Sequence, residues 1–255
     1  MRNRVDLTGK LIVVTGAASG QGAAEALHLA RSGATVIATD ISAEPSWLGE
    51  TGRGLEYFRL NVASEADWQA LASHIAATHG AVHGLVNNAG ITNRARLTEI
   101  DLEDFQRVLD VNLSGSLLGI QAMSPLMLDG GSIVLVGSLA ASTGHYPVAY
   151  TVSKWAVRGL ARVASLELGP LGIRVNIIHP GFINTPMTAS APGAYVEHNL
   201  AENPLGRLGE VEDVAPLVAF LLSDESSYIS GAEIPIDGGQ SAHGGMKRLS
   251  DMARE

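Results

Sequence analysis

The chain has 255 residues, 46% of them hydrophobic, and carries 17 Lys and Arg against 26 Asp and Glu, a formal net charge of −9. That balance excludes a nucleic-acid or anionic-membrane surface, because no cationic stripe is present to neutralise phosphates, and the absence of cysteine excludes disulfides and thiol chemistry. No run of roughly 18 apolar residues occurs and residues 1–10 hold no apolar signal core, so the expected location is the cytoplasm.

The first expected strand, 11–15, runs into Thr15-Gly16-Ala17-Ala18-Ser19-Gly20-Gln21-Gly22 and a helix over 22–32. Glycines let that backbone turn and approach a pyrophosphate, whose charge the helix N-terminus favours. The second strand, 35–39, is closed by Asp40, which can accept from both hydroxyls of an adenosine ribose and would repel a 2′-phosphate. A turn or capping aspartate is the alternative. No Arg or Lys stands at 17–19 or 41–42, so NAD is expected rather than NADP. The third strand, 55–60, precedes Asn61-Val62 and a helix over 65–78; the fourth, 84–87, enters Asn87-Asn88-Ala89-Gly90.

A long helix over 102–128 carries Asn112, and the fifth strand, 132–136, ends at Gly137-Ser138. The next helix, 149–168, opens with Tyr150-Thr151-Val152-Ser153-Lys154, which puts Tyr150 and Lys154 on one face. An ammonium beside a phenol stabilises phenolate and makes it a usable acid and base for an alcohol proton. Taken alone, a packing Tyr beside a solvated Lys explains the pair better. The sixth strand, 174–178, leads through His179-Pro180-Gly181 into 182–207, rich in Pro, Gly, Thr and Asn, which is expected to be a substrate lid at the carboxyl edge of the sheet. A helix over 211–222, a strand at 233–236 and a tail at 238–255 complete the chain. Strict strand and helix alternation without a linker or repeat predicts one domain, 1–255. Its fold class is α/β, a doubly wound, Rossmann-like parallel sheet of about seven strands flanked by helices.

The ordered set T-G-x-x-x-G-x-G, N-N-A-G, Ser138, Tyr150-x-x-x-Lys154 and Pro180-Gly181 resembles the short-chain dehydrogenase/reductase family over nearly the whole chain, with Gln21 and Asn61 as departures. The segments around 153–160 and 179–189 resemble its bacterial NAD-dependent hydroxysteroid and secondary-alcohol dehydrogenases. The resemblance implies hydride transfer between nicotinamide and a secondary alcohol or ketone, a class that extends to bulky apolar and steroid substrates, with Asn112, Ser138, Tyr150 and Lys154 catalytic. It implies NAD held by Gly16, Ser19, Gly20, Gln21, Gly22, Asp40, Asn61, Val62, Asn88, Ala89, Gly90, Tyr150, Lys154, Pro180, Gly181, Ile183 and Thr185. The expected substrate pocket comprises Ser138, Ala140, His145, Tyr146, Tyr150, Phe182, Met187 and Tyr195, which flank Ser138 and Tyr150 or lie in the lid.

The histidines show no paired spacing with carboxylates of the zinc-site kind, so no catalytic metal is expected. A 3-oxoacyl thioester reductase would be expected to carry basic residues near the phosphate, and a non-catalytic NAD-sensing or structural subunit would be expected to lack Ser138, Tyr150 or Lys154. The helices 102–128 and 149–168 carry apolar Leu117, Leu118, Ile120, Trp155, Leu160, Val163 and Leu166 on more than one face, which points to a homo-oligomer. In the family the partner is the same helix pair of another subunit, which implies a homotetramer.

Overall fold

Among the residues described by this computed structural model, 5–43, 45, 47, 48 and 54–254, the β-branched runs form one sheet. Its strands are β1 (Leu11–Thr15), β2 (Thr35–Asp40), β3 (Leu55–Arg59), β4 (Val82–Asn87), β5 (Met127–Val136), β6 (Arg174–Pro180) and β7 (Glu233–Ile236). All pairings are parallel, in the order β3-β2-β1-β4-β5-β6-β7. The chain steps outward from β1 to β3 and then returns to lay β4 on the other flank of β1. The order reverses there, opening a crevice at the carboxyl ends of β1 and β4, where open α/β sheets take ligands.

Parallel strands need crossovers, and here they are helical: α1 (Gly20–Arg31), α2 (Glu65–Thr78), α3 (Leu102–Leu109), α4 (Gly115–Met123), α5 (Val148–Leu168), α6 (Pro186–Ala189), α7 (Gly193–Glu202), α8 (Val211–Leu222) and α9 (Lys247–Met252). Alternate residues of β1 enter opposite cores. Leu11 and Val13 pack with Leu71, Ile75, Met123, Val157 and Ala161 from α2, α4 and α5. Ile12 and Val14 pack with Ala26, Leu29, Val214, Val218 and Leu222 from α1 and α8. Burial on both faces is why these strands read as unbroken apolar runs.

The expected helix over 102–128 is the main correction. α3 gives way to a π-helical turn at Asp110–Ser114, α4 follows, and a 3-10 turn at Ser124–Leu126 leads directly into β5. Pro125 lacks the N–H that would continue the helix. β5 starts early because Met127 already pairs with Val82, before a register shift between Val82 and Gly84. Apolar residues run through all of these states, so periodicity did not reveal the breaks.

Segment 182–207 is more ordered than expected, since it contains α6, closed by a capping box between Thr185 and Thr188, and α7. In the tail, Asp237 accepts from Gly239 N (2.9 Å) and Ser241 N (2.7 Å), turning the chain back toward the crevice before α9; Glu255 lies outside the described residues. Among the described residues no helix is long and apolar enough to cross a membrane.

Candidate active site

The loop after β1 is held against the turn after β4. Thr15 Oγ1 accepts from the backbone N–H groups of Asn88 and Ala89, both at 3.0 Å, and Asn88 Nδ2 donates to the Thr15 carbonyl (2.8 Å). Gly16 has φ +67°, and a Cβ there would sit 2.8 Å from Ala89 Cα, so only glycine permits this approach. At the N-terminus of α1, Ser19 makes no side-chain cap, leaving first-turn N–H groups to the crevice. Asp40 stands at the end of β2. Its carboxylate lines the crevice and also accepts from Ala18 N (3.1 Å) and Ser42 N (3.0 Å).

Two adjoining clefts share Gly16, Asp40, Ala89 and Gly90. One, of about 960 Å³, includes Asn61, Val62 and Arg107; the other, of about 260 Å³, brings together Ser19, Gly20, Gln21, Gly22, Asn88, Tyr150, Lys154, Pro180, Gly181, Ile183 and Thr185. A glycine cradle, free helix N–H groups and a carboxylate at the far end fit a dinucleotide laid along this crevice.

Gln21 is occupied within the protein. Its Nε2 donates to Glu25 Oε1 (2.9 Å) and reaches Asn88 Oδ1 (3.4 Å). Glu25 is fully buried, its other oxygen has no partner among the described residues, and burial pushes its carboxyl up to about 8, against the hydrogen bond from Gln21. This buried acid was not singled out in the sequence, where it interrupts an otherwise Ala-rich helix face.

At the reacting end, Ser138 follows β5, and its Oγ accepts from Ala140 N (3.1 Å), which fixes the side chain at the mouth of the strand. Tyr150 lies in the first turn of α5, and Lys154 follows one turn later, with Nζ 5.7 Å from the Tyr150 ring centroid. Lys154 Nζ donates to the Val136 carbonyl (2.7 Å). Asn112, in the π-helical turn, accepts from Ile91 N (2.8 Å) and donates to Ser153 Oγ (2.9 Å), which in turn donates to the Tyr150 carbonyl (2.7 Å). Asn112 therefore lies behind the cleft; a Cβ on Gly90 would stand 3.3 Å from its Oδ1 and 3.6 Å from Lys154 Nζ.

Burial outweighs the expected effect of Lys154 on the phenol. It pushes Tyr150 above its ordinary value, with the hydrogen bond from Ser138 opposing and Tyr195 reinforcing, and it brings Lys154 down to about 8.

A third cavity, of about 310 Å³, joins Ser138, Ala140, His145, Tyr150, Phe182, Met187 and Tyr195. Tyr146 is the exception among the expected substrate residues. It does not line this cavity but packs edge-on against the rings of His145 and Tyr195, beneath the guanidinium of Arg96. Tyr195 Oη meets His145 Nε2 at 2.9 Å. Sequence reasoning missed Arg94, His198, Asn199 and Gln240 in the lining, because β4, α7 and the tail converge there only through folding.

Glu56, His74 and His79 offer ligand atoms all within 4.8 Å of one another, but this surface cluster of β3 and the end of α2 does not line the clefts described above.

A profile of the family described as enoyl-(acyl carrier protein) reductase matches residues 16–241. A 3-alpha-(or 20-beta)-hydroxysteroid dehydrogenase of Mycobacterium tuberculosis is 41% identical over 91% of this chain and 90% of that protein. A trans-4-hydroxycyclohexanecarboxylate dehydrogenase of Sinomonas cyclohexanicum is 36% identical over 94% and 95%. Among solved structures, a short-chain dehydrogenase/reductase of the glucose/ribitol dehydrogenase type from Brucella melitensis superposes with a TM-score of 0.89 at 30% identity, over 93% of this chain and 98% of that one. Sheet order, glycine cradle and relatives agree: the chain belongs to the short-chain dehydrogenase/reductase family, oxidoreductases that work with a nicotinamide cofactor.

Proposed function

We propose that this protein is an NAD(H)-dependent dehydrogenase interconverting a secondary alcohol and its ketone, with Tyr150 as the proton-transfer residue. The observation that carries the reading is that Ser138 and Tyr150 line both the nucleotide cleft and the substrate cavity. NAD, when bound, supplies the hydride acceptor or donor at nicotinamide C4. Ser138 holds the substrate oxygen, Tyr150 takes the alcohol proton in oxidation and returns it in reduction, and Lys154 contributes positive charge beside the phenol. Asn112 braces the start of α5 through Ser153. The Asp40 carboxylate favours NAD over NADP. α6 and α7, which carry Met187 and Tyr195, act as the lid.

The substrate cavity, about 310 Å³, lies at the lower end of the roughly 300–1,000 Å³ of small-molecule sites. Its size favours a compact member of the alcohol class named for the relatives. Absorbance of NADH and NADPH against small cyclic ketones, steroids and β-ketoacyl thioesters tests this, with Tyr150→Phe as control. NADH-linked turnover lost in the variant supports the reading; silence despite dinucleotide binding would sink it in favour of a sensor.

We also propose a homotetramer built on α4 and α5. Ile120 belongs to the core and Leu118 and Leu160 pack against it, but Leu117, Trp155, Val163 and Leu166 remain exposed, Leu166 at 78%. Such a face calls for a partner. A monomer mass in light scattering would refute it.

A further inference from the structure

We propose that Arg94 is an anion-reading residue of the substrate cavity, so that the substrate is a compact hydroxy or oxo acid with its carboxylate on Arg94 and its reacting carbon at Ser138 and Tyr150. This rests on the dehydrogenase reading above and narrows it. Arg94, Ser138 and Tyr150 line one cavity, and no Asp or Glu is among its lining residues. In a chain of net charge −9, a cavity with a fixed cation and no carboxylate runs against the composition.

The guanidinium is positioned but not neutralised. Nη2 donates to the Met187 carbonyl and to Ser190 Oγ, each at 3.2 Å, while Nε and Nη1 make no hydrogen bond to the described residues. Arg107, Arg158, Arg162 and Arg207 all pair with carboxylates; Arg94 has no such partner among the described residues. A guanidinium held at one edge presents its remaining donors in a plane, the arrangement that takes a carboxylate through two parallel bonds. Burial first, and Arg94 second, hold His145 below its ordinary pKa, so His145 is neutral at pH 7 and Arg94 supplies the lasting charge. Ala140, Pro147, Phe182 and Met187 line the same cavity and offer apolar walls for a ring or short carbon chain.

The competing role for Arg94 is a strut tying the 91–96 loop to α6. A ratio between matched substrates separates the two, because damage to a strut affects charged and neutral substrates alike. The intact protein would be assayed on 4-oxocyclohexanecarboxylate and its methyl ester, with NADH and with NADPH. We expect at least a tenfold preference in kcat/KM for the acid, mostly in KM, falling to about threefold or less in Arg94→Gln and partly recovered in Arg94→Lys. No preference in the parent, or the same preference in Arg94→Gln, overturns the proposal. Calorimetry with cyclohexanecarboxylate, which has no carbonyl to reduce, decides the same point without turnover. Binding to the dinucleotide-saturated protein should weaken at least tenfold in Arg94→Gln, and equal binding refutes the anion site. Should no ketone or thioester be reduced while this binding difference holds, the dehydrogenase reading fails and the anion site stands.

Discussion

The ring of His179 lies against the backbone of Ser138, with Nδ1 3.3 Å from its nitrogen and 3.1 Å from its carbonyl oxygen. Its Nε2 is 3.7 Å from Glu233 Oε2 and has no other partner among the described residues. A proton on Nε2 would face that carboxylate and leave Nδ1 to accept from Ser138 N–H, whereas a proton on Nδ1 would be donated to the Ser138 carbonyl. Burial pushes Glu233 up, but hydrogen bonds from Arg162 and Arg158 and their charges hold it below its ordinary value. Gly137 permits the contact, since a Cβ there would run into the imidazole. His179→Phe leaves the Ser138 N–H without its acceptor and should cost about 1–3 kcal/mol of stability. It should also lower kcat about tenfold, the equivalent of about 1.4 kcal/mol in the barrier, with partial recovery in His179→Asn. Melting curves together with ketone-reduction rates check it; lost stability at an unaltered kcat would show that His179 does not position Ser138.

Tyr150→Phe should lower kcat/KM by about 10²- to 10⁴-fold, the usual range for a positioned acid or base, while NADH still quenches protein fluorescence on binding. Because burial holds the phenol above its ordinary pKa, the protonated form prevails at neutral pH. Ketone reduction should therefore run well at pH 7, whereas alcohol oxidation should climb with pH to beyond 9. A pH-independent oxidation rate would contradict this assignment.

Asp40→Ser should raise the NADPH-to-NADH ratio of kcat/KM at least about tenfold, because removing a carboxylate from the ribose end lifts repulsion toward a 2′-phosphate. Arg59, whose Nε donates to the Ile41 carbonyl at 3.1 Å, stands next to this position on β3 and would assist. Initial rates with both dinucleotides measure it, and a parent enzyme that prefers NADPH would refute the ribose role of Asp40.

Glu25 links stability to pH. Its carboxyl is near 8 in the folded chain against 4.5 ordinarily, so between those values the folded state keeps a proton that the unfolded state releases. The stabilisation is complete below about 4.5 and is lost as pH rises toward 8. Glu25→Gln preserves the shape without the titration, and at pH 8 it should be more stable than the parent by up to about 4 kcal/mol, at about 1.4 kcal/mol for each unit between 4.5 and 8. Urea unfolding at pH 5.5 and pH 8 tests the sign: an advantage of equal size at both would mean that Glu25 holds no extra proton.

The strands and both ends of the crevice were readable because they rest on local signals: continuous apolar runs for buried parallel strands, glycines where the loop after β1 meets Ala89, and the four-residue spacing of Tyr150 and Lys154. The helix break at 110–114 was not, since Leu109, Val111 and Leu113 continue an apolar pattern that any helical winding can use. Arg94, His198 and Gln240 are far apart in the chain and meet only through the return of α7 and the tail. Tyr146 was misplaced for the opposite reason: it neighbours His145 in the chain, but aromatic packing turns it behind the cavity wall. Glu25 gave no sign because a single Glu on a helix is ordinarily solvated.

The π-helical turn that carries Asn112 amounts to one residue more than an α-helix needs there. Each helical residue advances the chain by about 100°, so deleting one residue within 110–114 would let the helix rewind as a uniform spiral and swing α3 about 100° relative to α4. Asn112 would then lose its register with Ile91 and Ser153, although every side chain that lines the clefts could remain in the sequence. The spacing of this helix is thus as much a requirement of the site as the residues that touch the ligand.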